Sequence, residues 1–348
     1  MCAQRVAVLT NQGEDFSFSL QQRPIPTLEG AQVLVRLSTS GLCGTDFALA
    51  EGKFGPTRDI LGHEGIGRVA KLGPAVTQGE VQVGQLVGVG WVRDACGSCH
   101  MCLAPGGETR CTLNSHSGWQ VDGTLAEFAV VPSRYLVTLP EDVPHRLLAP
   151  VMCAGVTVYR ALKTSQAIAG DLVAISGAGG MLGTLGIQYG RAMGLRVIAI
   201  DGRDQEQPCM AAGAEAYIDF TESSDLASRM VEVTDGRKVS AVLVCAGSVA
   251  AYESATCLVA PFGTIVCVGI LPPQQKVGFS PTDLIDSGYQ IIGSLVGTRK
   301  DIQEAADFVK RGLVKPQVRL VALSDLGEVL EEVRRGGEAR KVVVDLKP

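Results

Sequence analysis

The stretch from Asp171 to Asp201, DLVAISGAGGMLGTLGIQYGRAMGLRVIAID, constrains the fold more than any other part of the chain. An apolar run, Leu172–Ser176, leads into closely spaced glycines, a helical run follows (Leu182–Met193), and a second apolar run, Val197–Ile200, ends on Asp201. Strand, glycine loop, helix and strand in that order make a βαβ unit, and such units build a parallel sheet. Glycines at 177, 179, 180 and 183 let the backbone turn tightly and approach a pyrophosphate seated on the helix N-terminus. The order is GxGGxxG, which also reads as GxxGxxG from Gly177, Gly180 and Gly183. We therefore expect Gly177, Gly179, Gly180, Met181, Leu182 and Gly183 to line a dinucleotide site. Asp201 would accept hydrogen bonds from ribose hydroxyls and repel a 2′-phosphate, which favours NAD over NADP. Arg203, two residues on, could meet such a phosphate instead.

The same alternation continues through Glu215–Asp219, Asp225–Val233, Ala241–Val244, Tyr252–Leu258 and Thr264–Val268, and this sheet is expected to end near Ile291–Val296. A helix over 158–169 precedes the glycine loop. The first part of the chain reads differently. Short strands at 5–10, 32–38, 67–70, 86–92 and 126–131, punctuated by glycines and turn residues such as Asn11–Gly13, predict an all-β, barrel-like domain up to about Pro150. The tail adds helices at Asp301–Lys310 and Leu326–Arg335 and a closing strand, Lys341–Leu346.

The chemistry-bearing stretch is Gly41–Gly67, GLCGTDFALAEGKFGPTRDILGHEGIG, with a thiol at Cys43, a hydroxyl at Thr45, a carboxylate at Asp46, and His63-Glu64 between glycines. A catalytic zinc takes three protein ligands, commonly thiolate and imidazole, and keeps one position open. Cys43 and His63 could supply two, and Cys153 is the candidate for the third. Either cysteine alone could equally be a small buried hydrophobe. Cys96, Cys99, Cys102 and Cys111 form CGSCHMCLAPGGETRC, and four thiolates so spaced make a closed, structural zinc site. An iron–sulfur cluster fits four thiols too.

Composition narrows the remaining classes. Net charge is −5 with no basic cluster, which disfavours nucleic acid or an anionic membrane as partner. Apolar residues make up 46% of the chain, enough for real cores, and the longest apolar run, 257–270, is broken by Pro261, Gly263 and Gly269. With no signal-like segment, the expectation is a cytoplasmic protein whose cysteines stay free or bind metal. The five outside the motifs, at 2, 209, 245, 257 and 267, are expected to be packing residues.

Cys43, GHEGIG, VMCAGVTVYRAL, AISGAGGMLG, VIAIDG, IIGSLVGTRKD and RGLVKPQV together span essentially the whole chain. They resemble the zinc-dependent medium-chain alcohol dehydrogenases of the yeast-type branch. The resemblance implies an α/β protein. A GroES-like β-barrel catalytic domain would come from residues 1–154 and 296–348, and a Rossmann doubly wound parallel-sheet domain from 155–295. It implies two Zn2+ per chain, NAD as cofactor, and hydride transfer between primary or secondary alcohols and aldehydes or ketones. Homodimers or homotetramers are implied as well. By resemblance, Cys43, His63 and Cys153 hold the catalytic zinc, with Glu64 beside it and Asp46 orienting His63. Thr45 accepts the alcohol proton, and Thr157 packs near the nicotinamide. Val268 and Val296 flank its carboxamide, and Lys341 or Arg340 meets the pyrophosphate. Phe54 and Trp91, with Trp119 as a further wall, line the substrate pocket, and Phe54 suggests a cleft that admits more than ethanol.

Three departures stand out. Ala48 occupies the place of a proton-relay histidine, leaving Glu51 or water for that role, and Gly44 replaces a basic residue. Eight residues separate Cys102 from Cys111 where relatives usually have seven. A polyol or pathway-specific dehydrogenase, an alkene reductase, and a zinc- and NAD-binding protein without turnover are the alternatives.

Overall fold

A computed structural model of the chain describes residues 3–77, 79–222, 225–272, 274–334 and 341–347. The chain divides into two compact units, Met1–Cys153 with Gly297–Lys310 and Pro316–Pro348, and Ala154–Val296 with Arg311–Lys315. The small excursion at Arg311–Lys315 is pinned in the second unit by the Gln188 side chain, which accepts the Lys315 N–H at 2.7 Å.

In the first unit the strand Gln32–Gly41 is the hub, pairing antiparallel with Gly65–Leu72, Phe128–Pro132 and Lys341–Asp345. Its alternation puts Val33, Val35 and Leu37 into the core, each 3% exposed or less. Register shifts between Leu34 and Val35 and between Leu37 and Thr39 bend it. The main sheet runs Val318–Ala322, Lys341–Asp345, Gln32–Gly41, Gly65–Leu72, Leu86–Val89, Val137–Thr138. The strand expected at 86–92 breaks at Gly90-Trp91, and its remainder, Val92–Asp94, pairs instead with Ser115–His116. A separate hairpin joins Ala3–Thr10 to Ser17–Pro24. The second of these strands is polar and largely exposed, so its sequence reads as loop.

The second unit holds a six-stranded sheet in the order Ala216–Asp219, Arg196–Asp201, Leu172–Ser176, Val239–Val244, Val259–Cys267, Gln290–Gly293, parallel throughout. That is the doubly wound arrangement. Leu172–Ser176 is buried along its whole length, as a central parallel strand must be. The helix before it spans Ala154–Thr164 rather than 158–169. Two helices that the sequence reading passed over, Glu206–Ala212 and Pro281–Ser287, complete the crossovers. Among the described residues, no helix is long and apolar enough to cross a membrane.

Candidate active site

The hub strand delivers one end of the metal centre. At its C-terminus Gly41 N–H donates to Glu64 O (3.1 Å) and Leu42 N–H to Val342 O (3.0 Å), so three strand ends meet. A Cβ at Gly41 would lie 2.0 Å from Glu64 Oε2, so a larger residue there would displace the Glu64 carboxylate. The chain then turns at Cys43 into the short helix Gly44–Ala50. Asp46, 1% exposed in its first turn, accepts the Cys43 N–H on Oδ2 (3.0 Å) and the Gly62 N–H on Oδ1 (3.1 Å). His63 Nδ1 lies 2.8 Å from the same Oδ1. An acceptor-only carboxylate there places the ring proton on Nδ1 and leaves the lone pair on Nε2.

His63 Nε2 is buried with no hydrogen-bond partner, and so is Glu64 Oε2. The Cys43 and Cys153 sulfurs lie 3.8 Å apart, and neither is in a disulfide. Cys153 is carried there by the fully buried turn Ala149–Met152. One ligand atom from each of Cys43, His63, Glu64 and Cys153 falls within 4.8 Å of the others. The hydrogen bond from Cys153, aided by Lys341 and His63, holds the Cys43 thiol well below its usual range despite burial. Burial opposes charge on His63, but the Asp46 carboxylate outweighs it and raises the imidazole. Two thiols, an orphaned imidazole nitrogen and a buried carboxylate form a donor set that fits zinc, with Asp46 as the orienting group behind the imidazole.

Lys341, which the resemblance offered with Arg340 for the pyrophosphate, is engaged with a carboxylate. Its ammonium is 5% exposed and lies 2.5 Å from Glu64 Oε1, an ion pair beside the candidate metal ligands. Burial pushes Glu64 up to about 8 against the pull of that ammonium, and a divalent cation in the site would pull the same way as Lys341. Arg340 lies outside the described residues.

The four-cysteine lobe closes on itself. Sulfur separations are 3.8 Å (Cys96–Cys102), 3.9 Å (Cys99–Cys111) and 3.6 Å (Cys96–Cys111), and all four sulfurs fall within 4.8 Å of one another. Backbone N–H groups of Cys96, Cys99, Cys102 and Leu113 point at the sulfurs at 3.3–3.4 Å, the environment thiolates need. The extra residue is taken up by Gly106, with φ +75°, and by Gly107, where a Cβ would sit 1.9 Å from the Met101 carbonyl. The neighbouring histidines stay out of it: His100 opens the helix His100–Leu103 and the His116 ring packs on Trp91.

In the second unit the glycine loop runs from Leu172–Ser176 into the helix Met181–Ala192, with Gly180 as N-cap. Gly177 has φ +77°, and a Cβ at Gly183 would lie 2.3 Å from the Gly177 carbonyl oxygen. The backbone therefore passes close to itself, leaving the Met181–Leu182 helix N-terminus open to a phosphate. Asp201 ends its strand as expected, accepting the Gly179 N–H on Oδ2 and the Gly202 N–H on Oδ1, both at 2.8 Å. Arg203 is paired with Glu222 at 2.7 Å. Thr157 is buried on the helix Ala154–Thr164, Val268 follows the strand Val259–Cys267, and Val296 carries φ +39°, a strained value for a β-branched residue.

The three pocket aromatics gather beside His63 in the first unit. The Trp91 ring stands edge-on to His63 at 5.2 Å, stacks over Trp119 at 6.2 Å, and Phe54 leans on Trp119 at 6.1 Å. Sequence reasoning missed His116, whose ring is 4.7 Å from Trp91. It also missed Arg93, a buried guanidinium donating to Ser117 Oγ, Val130 O and Asp122 O. Neither belongs to a motif, and only the pairing of Val92–Asp94 with Ser115–His116 brings them here. Of the scattered thiols, Cys257 is exposed, so the packing expectation fails for it, and Cys2 lies outside the described residues.

Residues 29–141 match the alcohol dehydrogenase GroES-like domain family, and residues 182–311 match the zinc-binding dehydrogenase family. An alcohol dehydrogenase from Geobacillus stearothermophilus is 38% identical over 95% of this chain and 97% of its own length. The chain belongs to the zinc-dependent medium-chain alcohol dehydrogenase family. Alcohol dehydrogenase 1 of Emericella nidulans is likewise 38% identical, over 94% of this chain and 93% of its own. Among solved structures, acetophenone reductase from Geotrichum candidum in complex with NAD superposes with a TM-score of 0.84 at 27% identity, covering 99% of this chain and 97% of that one. As a member of this family the chain is an oxidoreductase that interconverts alcohols and carbonyl compounds, with zinc and a nicotinamide dinucleotide as its cofactors.

Proposed function

We propose that the enzyme oxidises primary and secondary alcohols, and reduces the matching aldehydes and ketones, with NAD rather than NADP, and that it is of the yeast-type branch. The observation that carries the reaction is the buried, unpartnered His63 Nε2 grouped with the Cys43 and Cys153 sulfurs. Zinc held by Cys43, His63 and Cys153 supplies a Lewis acid that lowers the pKa of an alcohol, and NAD supplies the hydride acceptor. Asp46 keeps the proton on His63 Nδ1 so that Nε2 stays a ligand. The half-buried Thr45 hydroxyl, two residues from Cys43, takes the alcohol proton. Glu64 stands by as a further ligand, restrained by Lys341. Thr157 packs near the nicotinamide, while Val268 and the strained Val296 offer backbone groups to its carboxamide. The second metal stiffens the lobe at Cys96, Cys99, Cys102 and Cys111.

NAD preference rests on Asp201 at the end of its strand and on Arg203, whose guanidinium Glu222 already occupies. The kcat/KM with NAD should exceed that with NADP by on the order of 100-fold; parity between them overturns the assignment. With Ala48 in place of a relay histidine, the proton passes from the Thr45 hydroxyl to water, since the Glu51 carboxylate is engaged by Lys53. Glu51→Gln should leave turnover and its pH profile unchanged. Phe54 in the aromatic wall widens the cleft, so benzyl alcohol should be turned over at least as well as ethanol, and a strong ethanol preference sinks that reading. None of the described cysteines is in a disulfide, which suits a reducing, cytoplasmic compartment, and we infer that copies associate as homodimers or homotetramers.

A further inference from the structure

Four aromatic rings beyond His63 form a continuous surface. Trp91, His116 and Trp119 lie nearly parallel: Trp91 to His116 is 4.7 Å at 32°, His116 to Trp119 is 5.7 Å at 31°, and Trp91 to Trp119 is 6.2 Å at 20°. Phe54 closes the outer end. All four are partly exposed, so the wall they form meets solvent. The loop that carries them is rigidly built. Val92 pairs with His116, Ser117 N–H donates to Trp91 O (2.9 Å), and Thr57 Oγ1 donates to Gly118 O. From beneath, Arg93 donates to Ser117 Oγ at 3.1 Å, and that hydroxyl donates to Gly90 O at 2.6 Å.

The tautomer of His116 follows from its neighbour. Gln120 Oε1 accepts the His116 backbone N–H at 2.8 Å, so the atom at that place is the amide oxygen. His116 Nδ1 lies 3.0 Å from the same oxygen and must therefore carry the ring proton. Nε2 is then a lone-pair acceptor, and no described residue donates to it. Burial, against the pull of Gln120, keeps the imidazole below its usual range and hence neutral. An aromatic wall that begins at the metal-ligand imidazole thus carries, two ring contacts away, a hydrogen-bond acceptor that no described residue occupies.

We propose that His116 is a specificity-determining residue: its Nε2 accepts a hydrogen bond from a hydroxyl at the far end of an aromatic alcohol, selecting hydroxylated benzylic alcohols over unsubstituted ones. This rests on the alcohol dehydrogenase reading and names its substrate class. The reactive hydroxyl is held at the metal centre, the ring lies on Trp91, and the second hydroxyl reaches His116. No bond is made or broken at His116, so its role is recognition alone.

The test compares 4-hydroxybenzyl, 4-methoxybenzyl and benzyl alcohol on the zinc-loaded enzyme and on His116→Leu and His116→Gln. The wild-type kcat/KM should favour the phenol roughly tenfold over both others, the value of one neutral hydrogen bond. His116→Leu should abolish that ratio, and His116→Gln, which keeps an acceptor, should restore part of it. The chain's two tryptophans, Trp91 and Trp119, are both in this wall, so quenching of their fluorescence reads binding independently of turnover. Tighter binding of the phenol that His116→Leu removes supports the proposal even if no alcohol is oxidised, a result that would instead defeat the reading of the reaction. Equal kcat/KM and equal binding for the three alcohols, or an equal loss for all three in His116→Leu, overturns the proposal.

Discussion

Lys341 and Glu64 meet where almost no water reaches, the ammonium 5% exposed and the carboxylate wholly buried. Such a pair adds little net stability over an apolar replacement, because desolvation consumes most of the attraction, but breaking it strands a charge. Lys341→Met should therefore cost about 3–5 kcal/mol, and the double variant with Glu64→Gln should recover most of that loss. Urea-unfolding midpoints in the presence of a chelator read both, and equal destabilisation by the single and double variants would refute the pairing. Asp46 acts through His63 rather than on substrate. Its carboxylate fixes the imidazole tautomer at 2.8 Å, so Asp46→Asn, whose amide can turn a donor toward Nδ1, should weaken zinc about 10–100-fold. A competitive chelator titration measures it, and an unchanged affinity would mean that backbone contacts alone aim the ring.

Elements that carry their own chemistry were legible in the sequence, and elements defined by a distant partner were not. The run Leu172–Ser176, the glycine loop and the strand ending on Asp201 could be read because strand, turn and helix signals lie next to one another. Ser17–Pro24 could not, since SFSLQQRP is polar and becomes a strand only against Ala3–Thr10. The break at Gly90-Trp91 was equally hidden, because it exists to hand Val92–Asp94 to Ser115–His116. Pro281–Ser287 was legible and overlooked: Ser280 caps Asp283 N–H, and Pro281 opens the helix. The pairing of Lys341 with Glu64 was hidden because spacing near the chain end says nothing of what stands opposite. The four-cysteine lobe was legible too, since its ligands follow from their spacing and the glycines at 106 and 107 mark where a tight turn can form. The lobe has little apolar core of its own, so metal supplies its order. Gly107→Ala, which puts a Cβ on the Met101 carbonyl, should lower bound zinc from two ions per chain toward one and raise hydrogen exchange over residues 95–113. Full zinc content in that variant would show that the lobe tolerates the contact.

At the scale of the molecule, the open sheet of the second unit ends in two edge strands, Ala216–Asp219 and Gln290–Gly293, and the second has large exposed hydrophobics beside it. Gln290–Gly293 bonds Val259–Cys267 on one side and no described strand on the other. Around that edge Ile291 is 42% exposed, Phe262 86% and Ile285 81%. A solitary exposed apolar side chain is ordinary, but a bare strand edge with large hydrophobics beside it is a template for pairing. An edge strand meeting its own copy about a twofold axis continues the sheet and covers those side chains twice over, once on each chain. The association proposed for this enzyme is expected to use this edge. The wild-type mass in solution should be at least twice the 36.5 kDa of the chain. Ile291→Lys sets two cations near the axis, where like charges repel, and should shift the protein toward the monomer at micromolar concentration. Light scattering after size exclusion reads the mass, and an unchanged NADH affinity reports that the sheet itself is intact. A variant that keeps the wild-type mass would move the interface elsewhere on the molecule.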